Sequence, residues 1–306
     1  MRVPFAIAAL LFGILLASGC RTRPWELEEF GTGTDLNVSP DFTLPRDLAV
    51  PPDLRPPPDL TLPFVCRDIY VVDENGTFSG FDPLTATFFD VRKLNCPSNS
   101  SPQTMSVARD GRAWVFYSDG SLFYVDIRTG VCSASTFDRT QIDSNTHFGS
   151  SFSADQPGGN TETPFLALPD DGVFARIDPA TLKVARFGMP GVIPQTGAEL
   201  TGTAAAELWG FFPSQGSSYI ARIDKTTGTQ DSRFNLPQIN TDAAGFAFAF
   251  WGGSFWIFLY DASIRGDTNV YRLDKATGKV DTVLKSTGRH IVGAGVASCA
   301  PLGLDH

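Results

Sequence analysis

Three side chains carry the chemistry that this sequence sets in register: His147, Glu199 and His290. Each stands at the head of a short run of small residues: "HFGSSFSAD" (147–155), "ELTGTAAA" (199–206) and, one residue on, "IVGAGVASCA" (291–300). Two imidazoles and a carboxylate are donor types that zinc or iron accepts, and a carboxylate beside an imidazole can also move a proton. Apart from His306, the chain has no other histidine. Asp110 and Asp155 fall at the opposite ends of their runs, so Glu199 stands almost alone and no glycosidase-like carboxylate pair is offered. Donors drawn from three separate segments are also far apart for one ion. The three are therefore read as a candidate ligand-binding set, with no metal, no cofactor and no catalytic role assigned.

Other chemistry is missing from the sequence. There is no Gly-rich phosphate loop, no G-x-S-x-G, no C-x-x-C and no H-E-x-x-H. "DENG" (73–76) lacks the ligand pattern that should follow in a calcium loop and reads as a hairpin turn. A net charge of -9 and a pI near 4.8 leave no basic surface to displace the counterions of nucleic acid.

The elements that must position the three residues are repeated. "IYVVDENGTFSGFDPLTA", "AWVFYSDGSLFYVDIRTG", "PFLALPDDGVFARIDPATL", "ELWGFFPSQGSSYIARIDKTTG" and "SFWIFLYDASIRGDTNVYRLDKATG" are one unit: strand, turn, strand ending in Asp, turn. Asn75-Gly76, Asp119-Gly120 and Asp171-Gly172 suit tight hairpins, whereas the last two units have longer connections. Asp82, Asp126, Asp178, Asp224 and Asp274 head the second turn, where an Asp accepts backbone N–H bonds, so they read as structural. A small-residue strand precedes four of the units, "TMSVARD" (104–110), 147–155, 199–206 and "FAFAFWGG" (246–253). The fifth copy closes the chain at 291–300.

This is the arithmetic of a circular repeat, in which the C-terminal strand completes the unit begun near residue 68. Four-stranded repeats of 40–50 residues mark a β-propeller. Residues 66–299 divided by five give about 47 per repeat, whereas seven would leave about 33. The expectation is an all-β, five-bladed β-propeller of four-stranded blades, with Gly, Ala, Ser and Thr crowding the axis. The repeat resembles bacterial propellers of the quinoprotein-like, WD40-like or beta-lactamase-inhibitor-like kind, and the resemblance covers the repeat unit alone.

The N-terminus carries a second signal. Arg2, the apolar run Phe5–Leu16 and Ala17-Ser18-Gly19-Cys20 form a secretory signal too short to span a bilayer. The cysteine after small residues resembles the lipobox of bacterial lipoproteins, although Ala17 stands where Leu is more usual. That resemblance implies a 1–19 signal peptide, a lipidated Cys20 at the mature N-terminus and, with Arg21 rather than Asp next, sorting to the outer membrane of a Gram-negative bacterium. Residues 20–65 follow with a Pro-Asp-Leu theme and eight prolines between Pro40 and Pro63, which fixes extended backbone without helix or sheet. At about 3.1 Å per residue such a disordered, semi-rigid tether reaches on the order of 100 Å. Residues 300–306 are a short tail.

Four cysteines remain in an oxidising compartment, which implies two disulfides. In a five-blade ring Cys299 ends the inner strand of the closing blade and Cys66 begins the next strand of that blade, so they pair where other blades have a covalent loop. Closing more than 200 residues stabilises by about 4–5 kcal/mol. Cys96 and Cys132 pair by elimination.

The same register puts the tether's entry and the ends bearing His147, Glu199 and His290 on opposite faces, with the longer insertions Pro213–Ser218 and Asp261–Thr268, including Arg265, beside the latter. The function expected is a monomeric, lipid-anchored cell-envelope module presenting that face to a protein or glycan partner. The alternative is a propeller enzyme with a metal or acid–base site at the channel mouth. Mass spectrometry of the mature protein is expected to find a diacyl- or triacyl-modified N-terminal Cys20. A mature chain starting elsewhere removes the anchor from this reading.

Overall fold

The computed structural model describes residues 64–143, 147–239, 245–261 and 267–304, all within the second of two units, Asp59–His306. The signal segment, Cys20, the tether up to residue 63, Arg265 and His306 lie outside the described residues.

Among the described residues, twenty strands form five four-stranded antiparallel sheets. Blade one joins β1 (Ile69–Asp73), β2 (Thr77–Asp82) and β3 (Thr87–Lys93) to β20 (Ile291–Gly295), in the order β20-β1-β2-β3. Blade two is β4 (Pro102–Val107), β5 (Arg112–Tyr117), β6 (Leu122–Asp126) and β7 (Cys132–Ala134). Blade three is β8 (Gly149–Ala154), β9 (Glu162–Leu168), β10 (Val173–Ile177) and β11 (Val184–Phe187). Blade four holds β12 (Glu199–Gly202), β13 (Leu208–Phe212), β14 (Tyr219–Ile223) and β15 (Gln230–Asn235), and blade five holds β16 (Gly245–Trp251), β17 (Ser254–Asp261), β18 (Asp267–Asp274) and β19 (Val280–Leu284). The five-bladed propeller expected from the repeats is the observed fold.

Burial follows the layering. Second strands such as "IYVVD" and "LWGFF" are buried along their whole length, because each blade is sandwiched between two others. The outermost strands are mostly exposed. The core is accordingly five clusters, each drawn from two adjacent blades. Tyr70 and Phe78 pack with Met105 and Val115 between blades one and two, and Phe81 packs with Trp256 and Phe258 between blades one and five. The ring of Phe81 meets Trp256 edge-on at 5.5 Å.

The turns behave as their residues require. Asp126 Oδ1 accepts the N–H groups of Arg128 and Thr129 at 3.0 and 2.8 Å, and Asp224 Oδ1 those of Thr226 and Thr227 at 2.8 and 2.7 Å. Gly130, Gly228 and Gly278 close these turns at φ 71°, in the left-handed region. Around the axis the inner strands touch backbone to backbone. A Cβ on Gly202 would come 2.0 Å from the Phe152 carbonyl oxygen, which is why small residues fill this position.

Outer strands are irregular. The register slips opposite β3, β15 and β19, with Asp90 and Ser232 at φ 51° and 46°. In blades two and three the outer strand is only three or four residues long.

The ring closes in blade one. β20 pairs with β1 through Tyr70↔Gly295 and Val72↔Gly293, and the Cys66–Cys299 disulfide clasps the end where the covalent loop is missing. Cys96–Cys132 joins the outer parts of blades one and two. The tether was expected to run to residue 65, but a short helix, α1 (Phe64–Arg67), precedes β1, and Val65 is buried in the cluster between blades one and two. The tail after Cys299 also packs: Pro301 accepts the N–H of Gly252 at 2.9 Å.

The two bridges span 233 and 36 residues. Replacing Cys66 and Cys299 with serine is expected to cost about 5 kcal/mol in urea unfolding, against about 4 kcal/mol for Cys96 and Cys132. Equal losses would mean that ring closure gains nothing from the longer bridge.

Candidate functional site

Inner strands run from the end that holds His147, Glu199 and His290 to the end that holds Cys299. The structure brings two of the three residues together. Glu199 begins β12 and turns its carboxyl into the axis, where it has no solvent exposure. Its Oε1 lies 3.1 Å from His147 Nε2, and its Oε2 accepts the hydroxyl of Thr104 at 3.2 Å. Thr104 belongs to β4, so this bond spans the axis past β8. Ser150 of β8 completes the cluster, with its Oγ 3.2 Å from Thr104 Oγ1 and its N–H donated to that oxygen at 3.2 Å. The His147 ring rests on Phe246 of β16 at 4.6 Å, and its side chain keeps 22% exposure.

Glu199, with no solvent exposure, does not line an open mouth. Neighbouring inner strands are in backbone contact here: a Cβ on Gly149 would come 2.2 Å from the Ala198 carbonyl oxygen and 2.6 Å from the Glu199 Cα. His290 takes another path: its Nδ1 lies 2.7 Å from Glu74 Oε2, its ring stacks on Tyr260 at 3.6 Å, and its buried Nε2 points at Gly245 without a hydrogen-bond partner. His147, Glu199 and His290 thus do not share one ligand sphere, and no group of three such residues converges among the described residues.

Burial drives the Glu199 carboxyl well above the ordinary glutamate value of 4.5, to about 7, against the opposing pull of His147 and the Thr104 hydroxyl. One member of the pair is sealed from solvent and the other reaches it.

The opposite end is knitted by Arg109, just beyond β4. Its guanidinium donates to Ser298 Oγ at 2.7 Å and to the Gly159 carbonyl, while its N–H reaches Glu162 Oε1 at 2.7 Å. Ser298 in turn donates to Glu162 Oε2 at 2.6 Å, and burial raises the Glu162 pKa. Blades one, two and three meet in this cluster. A cavity of about 400 Å³ lies beside it, lined by Val65, Arg109, Asp110, Asp126 and Arg128. Its carboxylates are engaged: Asp126 caps its turn and Asp110 binds Arg112.

Sequence reasoning missed Thr104, Ser150 and Glu74 as partners. The first two read as small axial filler and the third as part of a hairpin turn, which "DENG" indeed is, with Gly76 N–H donating to the Asp73 carbonyl at 2.8 Å.

No protein-family profile and no curated protein matches the chain. Among solved structures, a protein of unknown function from Bacteroides caccae matches at 10% identity and a TM-score of 0.44, over 74% of this chain and 97% of that one.

A carboxyl that binds its proton more tightly when folded stabilises the fold fully below the unfolded pKa, and that contribution fades as pH rises toward the folded value. For Glu199 the window runs from 4.5 to about 7. Relative to Glu199→Gln, the wild-type chain is expected to lose roughly 3 kcal/mol of stability between about pH 5 and about pH 8. Paired urea titrations measure this, and parallel pH profiles would place the charge elsewhere.

Proposed function

We propose that this chain is a lipid-anchored protein of the Gram-negative outer membrane whose propeller presents the end bearing His147 to a protein or glycan partner. One observation carries the orientation. α1 and the Cys66–Cys299 clasp lie at one end of the inner strands, and His147 lies at the other. A chain held through residues before α1 keeps the His147 end free of its own attachment. The long connection of blade four, around Pro213–Ser218, follows β13 at that free end and is braced by the Ser218 hydroxyl, which donates to the Ser214 carbonyl at 3.1 Å. The Arg109 cluster, by contrast, consumes its charged groups in joining blades.

The enzyme reading draws on the 3.1 Å contact between His147 and Glu199, a geometry suited to proton transfer. Stoichiometric metal in the purified protein, or turnover lost in His147→Ala, would favour it over the binding reading.

Capture experiments with the full lipidated chain test the orientation. His147→Ala, or a bulky residue at Arg265, is expected to lower partner recovery at least tenfold, which corresponds to about 1.4 kcal/mol. Substitutions at Asp155 or Asn160 are expected to leave recovery unchanged. The reverse pattern would assign the receptive face to the Arg109 end.

A further inference from the structure

We infer that the Cys66–Cys299 bridge and the Arg109 cluster together form the root of the attachment, taking a pull on the residues before Phe64 and dividing it among several blades. The inference rests on the reading that the chain is held through those residues, and it gives this end of the propeller a task that closing the ring does not require.

Tension entering at Phe64 meets Cys66 first and β1 soon after. Without the bridge, β1 would have to carry it. That strand is five residues long, and it is held by its packing and by its ladder bonds to β2 and β20. Each such bond is worth only about 1 kcal/mol net. The bridge opens a second, covalent path into Cys299.

Cys299 is placed where that path can spread. Just before it, the buried Ser298 accepts Arg109 Nε on its hydroxyl at 2.7 Å and Arg109 Nη2 on its carbonyl at 3.2 Å. The same hydroxyl donates to Glu162 Oε2 at 2.6 Å. Arg109 follows β4 of blade two and Glu162 opens β9 of blade three, so two blades grip one residue. The guanidinium charge strengthens both of its bonds. On the other side of the bridge, Pro301 accepts the N–H of Gly252, which follows β16 of blade five, at 2.9 Å. The pairing of β20 with β1 stops at Gly295, so the contacts of Ser298 and Pro301 are additional to ring closure.

Direction matters as well. A pull between the residues before Phe64 and the His147 end acts along β1 and β20 rather than across them, because both strands run between those two ends. Their ladder bonds must then yield together instead of one at a time.

Magnetic tweezers test this on the full chain, held between Thr22 and Ser217, an exposed residue between β13 and β14. The reading is the time to first rupture at constant force, which reports the unfolding rate. A second geometry keeps Ser217 and moves the other handle to Ala180, in the exposed turn after β10, so that tension bypasses Phe64. Replacing Cys66 and Cys299 with serine is expected to shorten that time about tenfold more in the first geometry than in the second. Ser298→Ala is expected to shorten it in the first geometry while the bridge is present and to have no effect once the bridge is gone, since tension then no longer reaches Ser298. Equal shortening in the two geometries would make the bridge a general stabiliser and overturn the inference. So would a Ser298→Ala effect of the same size with and without the bridge. Should the chain lacking both cysteines fail to fold, Ser298→Ala acting equally in the two geometries overturns it instead. An unmodified Cys20 in the same preparation would discard the lipid anchor, while the rupture times still decide the path of the load.

Discussion

A closed ring of blades has to be joined somewhere, and here the joint is the pairing of the last strand with the first. β20 supplies the inner strand of blade one, and the other three strands lie at the start of the folded chain. The apolar faces of blade one complete two of the five core clusters, and both chain ends enter each: Val292 and Ala297 join Tyr70 and Phe78 against blade two, and Ile291 and Ala294 join Phe81 against blade five. The Cys66–Cys299 bridge sits at this seam because it is where the polypeptide lacks a loop. Val65 beneath it and Pro301 beyond it extend the same seam in both directions.

The five-fold closure also explains the axial site. Bringing inner strands within backbone contact demands glycine and small polar residues, and these leave hydroxyls facing the axis in place of packed hydrocarbon. One longer polar side chain can then reach across. Glu199 does so, and its burial follows from the tightness of the ring rather than from any local pocket. Arg109 plays a comparable part at the other end, but its partners include a carboxylate, and there the charge is balanced.

Much of the architecture was legible because it is written in periodicity. Two-residue alternation, Asp-headed turns, a first unit without an inner strand and a spare inner strand at 291–300 point to the number of blades, the ring closure and the Cys66–Cys299 pairing. The site was legible only in part. Spacing placed His147, Glu199 and His290 at the same height on three blades, but height does not say which way a side chain turns. Glu74 captures His290 from a turn whose sequence spoke only of its backbone, and Tyr260 holds the ring from a different strand. Thr104 and Ser150 carried no signal, since a hydroxyl chosen for size and one chosen for hydrogen bonding look alike in sequence.

The irregular outer strands have a consequence for how the molecule lives beside copies of itself. Among the described residues each blade ends in an outer strand with no further strand paired to it, and a ring of five offers five such templates for strand addition. None is long and flat. Blades two and three end in outer strands of three and four residues, and the strands of blades one, four and five carry an extra residue that twists the edge out of line. Charged pairs such as Arg222 with Asp231 and Arg272 with Asp281 are set across those same strands. Short strands, extra residues and charged pairs thereby make the rim of the propeller a poor surface for sheet growth.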